Sequence, residues 1–326
     1  MINLKLFSAV PHGACSWYRT QPLKKLYKLD DRIYAEFGTQ IEWDKLSGID
    51  LVFFERPESD EIVRAMEKIK SYGIKIWSDY DDDVFNVCND NPSYMHYNTP
   101  KIQQSIRHCM NLSDIITVST ENLKQKFLPY NDNIIVLENG FNDFNLNLNK
   151  PIGKNKIIHW RGSTTHRRDI LSITNAMVAI SQEYKDWYFS FIGNSLEFIT
   201  DKLINVKYIE EMPVSSYFEF LLQVSLPIQI CPLCFNTFNE SKSNISWIEG
   251  NYIGAVCLAP KMNEWIKPGI LNYTDEESFF YQLRQLIEFP NFREQLFKES
   301  REYIKENLLL SYINKKRLKI INQLMG

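Results

Sequence analysis

The sequence predicts an α/β protein of two consecutive Rossmann-like, doubly wound domains facing a cleft. Three observations carry this reading. Short apolar runs alternate with stretches of helical spacing along most of the chain, the signature of parallel βαβ units. An Asn-rich segment from Asn139 to Lys150, closed by Pro151, has no apolar period and reads as a linker between two such series. The 326 residues are 44% hydrophobic and 13% aromatic, enough for two cores and far too apolar for a disordered chain.

In the first series the expected strands are Leu4 to Val10, Leu51 to Phe54, Ile74 to Trp77, Ile115 to Val118 and Ile134 to Leu137. Helical spacing covers Gln21 to Leu29, Glu61 to Tyr72, Lys101 to Leu112 and Glu121 to Phe127. The second series has strands at Lys156 to Trp160, Tyr188 to Ile192, Val206 to Ile209, Leu226 to Ile230 and Ala255 to Leu258. Its helices are Ile170 to Tyr184, Ser215 to Gln223 and a long run from Phe279 to Leu324, broken near Pro290. The expected domains are therefore 1–150 and 151–300, followed by a terminal helix over 301–326.

Charge excludes a bulk polyanion-binding surface. The net charge is −3, and residues 1–150 hold 17 Lys and Arg against 21 Asp and Glu. The run Lys315-Lys316-Arg317-Leu318-Lys319 reads as the solvated last turn of a helix. No apolar stretch is long enough for a membrane helix, and Met1 to Val10 lacks a signal-peptide pattern. Six Cys in this length fit a reducing compartment, so the expected location is cytoplasmic. Cys231-Pro232-Leu233-Cys234 stands alone as a Cys pair without the other ligands that zinc needs, and reads as buried structural thiols.

Chemistry concentrates at the ends of strands. Ile157 to Arg161 runs into Gly162-Ser163-Thr164-Thr165, with His166, Arg167 and Arg168 close behind. Gly162 admits a ligand close to the backbone, a following helix N-terminus offers free N–H groups, and the basic residues add positive charge. The spacing is not that of a nucleoside triphosphatase loop. The bland reading is a capped surface helix with an exposed basic face. In Phe238-Asn239-Glu240-Ser241-Lys242-Ser243-Asn244, a polar loop opens a helix carrying Glu249. Lys242 and the free amides can hold a diphosphate, and Glu249 can accept from ribose hydroxyls; a capped amphipathic helix is the alternative. Ser78-Asp79-Tyr80-Asp81-Asp82-Asp83 follows a strand, where Asp81 and Asp82 can bind acceptor hydroxyls, act as a base or hold a cation. Clustered Asp also suits simple helix capping.

Taken in order, these segments resemble the retaining family 4-like glycosyltransferases of the GT-B architecture. The match lies in Gly162-Ser163-Thr164-Thr165-His166-Arg167-Arg168-Asp169, similar to the family's Gly-Ser-x-x-His-x-x-Asp, and in Phe238-Asn239-Glu240-Ser241-Lys242-Ser243, similar to its Phe-Asn-x-x-Lys-Ser. The resemblance covers residues 156 to 260. It implies Arg161, Gly162, Ser163, His166, Arg167, Lys242, Ser243 and Asn244 around the donor, with Glu249 on the ribose. Family members often carry a second Glu where this chain has Ser241, so that sugar contact is missing here. The loop Pro11-His12-Gly13-Ala14 is similar to the family loop approaching the diphosphate, which brings Gly13 to the donor and Tyr18 and Arg19 to the cleft. The terminal helix would return to the first domain.

The resemblance implies transfer of a sugar from a nucleotide diphosphate donor, UDP-linked, to an acceptor hydroxyl, with no cofactor and no metal. Asn, Lys and Ile usage and the compact length resemble phage-encoded members, for which hydroxymethylated pyrimidines in DNA are an acceptor. A surface glycan or lipid-linked glycan is the alternative acceptor, and a non-catalytic nucleotide-sugar scaffold is the alternative function.

Overall fold

The computed structural model describes residues 1–38, 46–143, 150–193 and 196–326. Strands β1 (Ile2–Phe7), β2 (Ile33–Phe37), β3 (Leu51–Glu55), β4 (Lys75–Tyr80), β5 (Ile115–Val118) and β6 (Ile134–Val136) form one parallel sheet in the order β2-β1-β3-β4-β5-β6. A second parallel sheet, in the order β12-β11-β10-β7-β8-β9, comprises β7 (Ile157–Gly162), β8 (Tyr188–Gly193), β9 (Val206–Glu210), β10 (Ile228–Ile230), β11 (Val256–Pro260) and β12 (Ile270–Tyr273). The strand order reverses direction between β1 and β3 in the first sheet and between β7 and β10 in the second. Ligands of open α/β sheets sit at such points, outside the strand C-termini.

The helices of the first half are α1 (Ala14–Arg19), α2 (Asp60–Ser71), α3 (Tyr94–Tyr97), α4 (Pro100–Leu112) and α5 (Glu121–Phe127), with a 3-10 helix over Gln21–Lys28. The second half adds α6 (Arg167–Leu171), α7 (Thr174–Glu183), α8 (Glu197–Thr200), α9 (Val214–Gln223), α10 (Ile245–Tyr252), α11 (Glu276–Glu288), α12 (Pro290–Asn307) and α13 (Leu310–Met325). Alternation along the strands sets the layers. Leu4, Leu6, Leu51, Phe53 and Trp77 face Leu23 and Leu26 of the 3-10 helix and Ile313, Ile320, Ile321 and Leu324 of α13. On the other face, Val52, Phe54 and Ile76 pack with Met66 and Ile69 of α2 and Cys109 of α4. The chain leaves the first sheet and returns to it at one place: Phe141 N donates to Leu308 O at 2.6 Å, and Leu310 N donates to Phe141 O at 2.7 Å.

Three expectations are corrected. The helix foreseen from Ile170 to Tyr184 is two helices, α6 and α7, broken at Ser172-Ile173. The stretch Asn139 to Phe141 is no loose linker, because its three residues are buried in the crossover; 144–149 of that segment lie outside the described residues. The basic run Lys315 to Lys319 lies in the middle of α13 and not in its last turn, and Arg317 is wholly buried, donating to Tyr18 O and Asn314 Oδ1. Among the described residues no helix is long and apolar enough to cross a membrane.

Candidate active site

Two adjoining cavities of about 260 and 270 Å³ lie between the C-terminal ends of the two sheets and share Ala14, Tyr18, Arg161, His166 and Glu249. The backbone floor of the first comes from β7 and β8, whose terminal residues Gly162 and Gly193 are register partners. Gly193 has φ +109°, and a Cβ there would stand 2.2 Å from Gly162 O, so only glycine fits. The first cavity is completed by Ile192, Met212, Val214, Tyr217 and Phe218, an apolar slot with polar rims. The second is edged by Cys15, Asp82, Asn139, Lys242, Ser243 and Trp265.

Where the cavities meet, Glu249 is 3% exposed and fully engaged. Tyr18 Oη donates to its Oε1 at 2.7 Å, Tyr217 Oη donates to its Oε2 at 2.9 Å, and Arg161 Nε lies 2.5 Å from Oε2. Burial and then the nearby carboxylate hold both tyrosine hydroxyls far above their ordinary pKa. Burial works against the charge of Arg161, but Glu249 outweighs it and the guanidinium stays charged, its pKa raised. Trp17 and Tyr18 of α1 bring the first domain onto Phe218 of α9, with ring centroids 4.8 and 5.8 Å away.

The acidic strand end is organised differently from its expected role. Each carboxylate has its own cation. Asp79 takes both Arg19 Nε (2.9 Å) and Arg19 Nη2 (2.6 Å), Asp81 lies 3.1 Å from Arg56 Nε, Asp82 accepts from Lys242 at 3.1 and 3.2 Å, and Asp83 accepts from Lys126 at 2.7 Å. Arg19, expected to face the cleft, lines the second cavity, and its guanidinium, 2% exposed, is held there by the buried Asp79 at the end of β4. Asp81, expected as an open acceptor-binding or basic carboxylate, is likewise committed: burial raises its pKa, but the Arg56 guanidinium and the Cys15 thiol lower it further, and it stays ionised. Asp81 and Asp82 both line the second cavity, and the Asp82 side chain is 29% exposed.

The donor-side residues divide in the same way. Gly162, Ser163 and His166 line the first cavity, and Lys242 and Ser243 the second. His166 Nδ1 is 2.8 Å from Asp169, which fixes its ring. Arg167 instead stacks over Phe198 at 4.5 Å, and the Asn244 side chain donates to Glu264 O, so neither side chain is given to the cleft. Gly13 precedes α1, whose first residue Ala14 lines both cavities in its place. The sequence leads one to expect a helix after Gly162 whose N-terminus offers free N–H groups to an anion. It is a 3-10 turn over Thr164–His166 followed by the five-residue α6, too short for a useful dipole.

Ser241 stands where a second carboxylate was looked for. It is fully buried, its hydroxyl donates to Asn122 Oδ1 at 2.8 Å and accepts from Lys126 at 2.6 Å, and its carbonyl accepts from Thr120 at 3.0 Å. Sequence reasoning missed Tyr217 and Arg56. Arg56 stands at φ +47°, rare for a residue with a side chain, and its position just past β3 was the available signal. Cys231 pairs in space with Cys257, 3.4 Å away and also a free thiol, and not with Cys234.

No family model matches the chain, and no curated protein matches it. Solved structures do. Sucrose-phosphate synthase from Thermosynechococcus elongatus superposes with a TM-score of 0.70 at 11% identity, covering 99% of each chain. Anabaena HepE in complex with UDP gives 0.68 at 11% identity, covering 99% of this chain and 100% of its own. An alpha-glucosyltransferase in complex with UDP and a 13-mer DNA gives 0.65 at 12% identity, covering 98% and 99%. At these identities the likeness establishes the fold: this chain has the GT-B architecture of those glycosyltransferases.

Proposed function

We propose that the chain is a glycosyltransferase that moves a sugar from a UDP-sugar to an acceptor hydroxyl with retention of the anomeric configuration. One observation carries the reading: Arg161, Lys242 and Glu249 converge on two joined cavities at the strand-order reversals of both sheets. The uracil lies in the apolar slot beside Met212 and Val214, and the ribose hydroxyls are read by Glu249. The diphosphate rests against Arg161, Lys242 and the N-terminus of α10.

These cations stabilise the negative charge that builds on the departing diphosphate, so transfer proceeds without a metal. The bond from the anomeric carbon to the phosphate oxygen breaks while one to the acceptor oxygen forms. The acceptor proton passes to an oxygen of the leaving diphosphate, and Asp82 orients the acceptor at the mouth of the second cavity. The acceptor is a hydroxymethylated pyrimidine in DNA. The DNA-bound neighbour of the same fold, itself similar at 12% identity, supports that choice.

The test is release of UDP from a panel of UDP-sugars offered with hydroxymethylated duplex, unmodified duplex or glycan acceptors. Labelled sugar on the modified duplex alone is the expected result. Transfer only to glycans overturns the acceptor, and UDP binding without any turnover turns the reading to a nucleotide-sugar scaffold.

A further inference from the structure

The first domain is acidic by composition, yet the structure gathers lysines from opposite ends of the sequence onto one of its faces. The 3-10 helix Gln21–Lys28 and α13 pack side by side on the same face of the first sheet, where Leu23 and Leu26 meet Ile313, Ile320 and Ile321. Their outer sides expose Lys24, Lys25 and Lys28 from one helix and Lys315 and Lys319 from the other. Neither helix contains a single Asp or Glu. Acidic partners at i±4 would stabilise such lysine-bearing helices, and these carry none. Among the described residues, Lys316 alone of the cluster is neutralised, by Glu138 at 2.7 Å.

We infer that this two-helix face binds the phosphate backbone of duplex nucleic acid. Three observations favour that partner over an anionic bilayer. The aliphatic side chains Leu23, Leu26, Ile313, Ile320 and Ile321 of both helices are spent in the core and are not free to enter lipid. The lysines stand in two rows on two packed helices, a pattern suited to the regularly repeated charges of a duplex, one per about 1.7 Å of its axis. The exposed Tyr27 and Tyr312 among the lysines carry hydroxyls suited to phosphate and sugar oxygens.

The face is continuous with the cleft. Lys25 lines a small cavity together with Tyr18 and Leu310, and the Arg317 guanidinium of α13 holds Tyr18 O. Tyr18 also lines both site cavities, which places Lys25 beside the cleft. This deepens, and for its biological meaning rests on, the reading of DNA as acceptor; the binding itself is measured independently.

The experiment uses an unmodified 20-base-pair duplex and fluorescence anisotropy across a salt series. Each lysine–phosphate contact removed flattens the log-affinity against log-salt slope by about 0.9. The variants K25Q/K28Q and K315Q/K319Q are each expected to flatten it by roughly twice that, with UDP affinity unchanged as proof of an intact fold. Parent protein that ignores the duplex, or variants that keep the parent slope, overturn the inference. Binding to phosphatidylserine vesicles in place of the duplex, lost in the same variants, assigns the face to a membrane and overturns it too. Duplex binding lost in the variants, in a protein that transfers no sugar, leaves the face standing and removes the transferase reading instead.

Discussion

Tyr18 and Glu249, 231 positions apart in the chain, hold each other across the cleft through a 2.7 Å hydrogen bond. If Glu249 reads the ribose as proposed, the Tyr18 hydroxyl occupies the oxygen a ribose hydroxyl would use, and nucleotide and first domain compete for one acceptor. Tyr18→Phe is therefore expected to bind UDP more tightly, by about 1 kcal/mol or fivefold, the net value of one such bond. Weaker binding in titration calorimetry would instead make Tyr18 part of the ribose platform.

Glu249→Gln keeps the size of the side chain and removes its charge. UDP binding is expected to weaken, while inorganic pyrophosphate, which has no ribose, binds almost as before. Equal losses for both ligands would show that Glu249 acts by holding Arg161, 2.5 Å away, and not by reading the ribose.

Lys242 and Asp82 form an ion pair whose side chains are 20% and 29% exposed. Lys242→Ala should weaken UDP binding by about 1.5–3 kcal/mol with little change in melting temperature. Asp82→Asn should do the opposite, tightening UDP binding a few-fold in dilute buffer and much less at 1 M salt, where such pairs are screened. Sugar transfer by the Asn variant should fall despite the tighter donor, which separates acceptor orientation from donor affinity.

Arg19, which lines the second cavity, can serve either the fold or the reaction. Buried at 2% exposure against Asp79, it is expected to serve the fold, and Arg19→Met should cost on the order of 3–5 kcal/mol of stability. An Arg19→Met protein that melts like the parent but transfers no sugar would return the residue to the catalytic set.

His159 on β7 sits wholly buried, and desolvation, helped by the Arg161 charge, pushes its pKa down to about 3 from 6.5. The folded state refuses a proton that the unfolded chain accepts below pH 6.5. Stability is therefore complete above that pH and declines as pH falls toward 3. Denaturant melts of His159→Leu between pH 7 and 4 should show a shallower decline than the parent; parallel curves would mean that His159 is not the group responsible.

Much of the scaffold was legible because buried parallel strands are written as continuous apolar runs. Strand β5 and helix α5 lie at the bounds their residues suggest. The strands that escaped notice, β2 and β12, stand at sheet edges, where tyrosines and polar residues interrupt the apolar pattern. At the site, Arg161, Lys242 and Glu249 were visible because each sits in or follows a recognisable strand–loop–helix step. The pairing of four neighbouring carboxylates with four separate cations was not visible, since Arg19, Arg56, Lys126 and Lys242 come from four elements that only the fold assembles. Charge type is local information, but neutralisation is not.

The return of α13 has a consequence for how the chain is made. Ile313, Ile320, Ile321 and Leu324 complete the core under Leu4, Leu6 and Phe53, yet they leave the ribosome after every strand of the second sheet. Until then the nascent first domain holds an open apolar face, covered in part by Leu23 and Leu26 of its own 3-10 helix. Vectorial folding is thus reversed for this domain: the half synthesised second can close first, and the half synthesised first waits for its last helix. Ribosome stalling before residue 313 leaves the earliest part of the molecule as its stickiest, a natural client for a holdase chaperone.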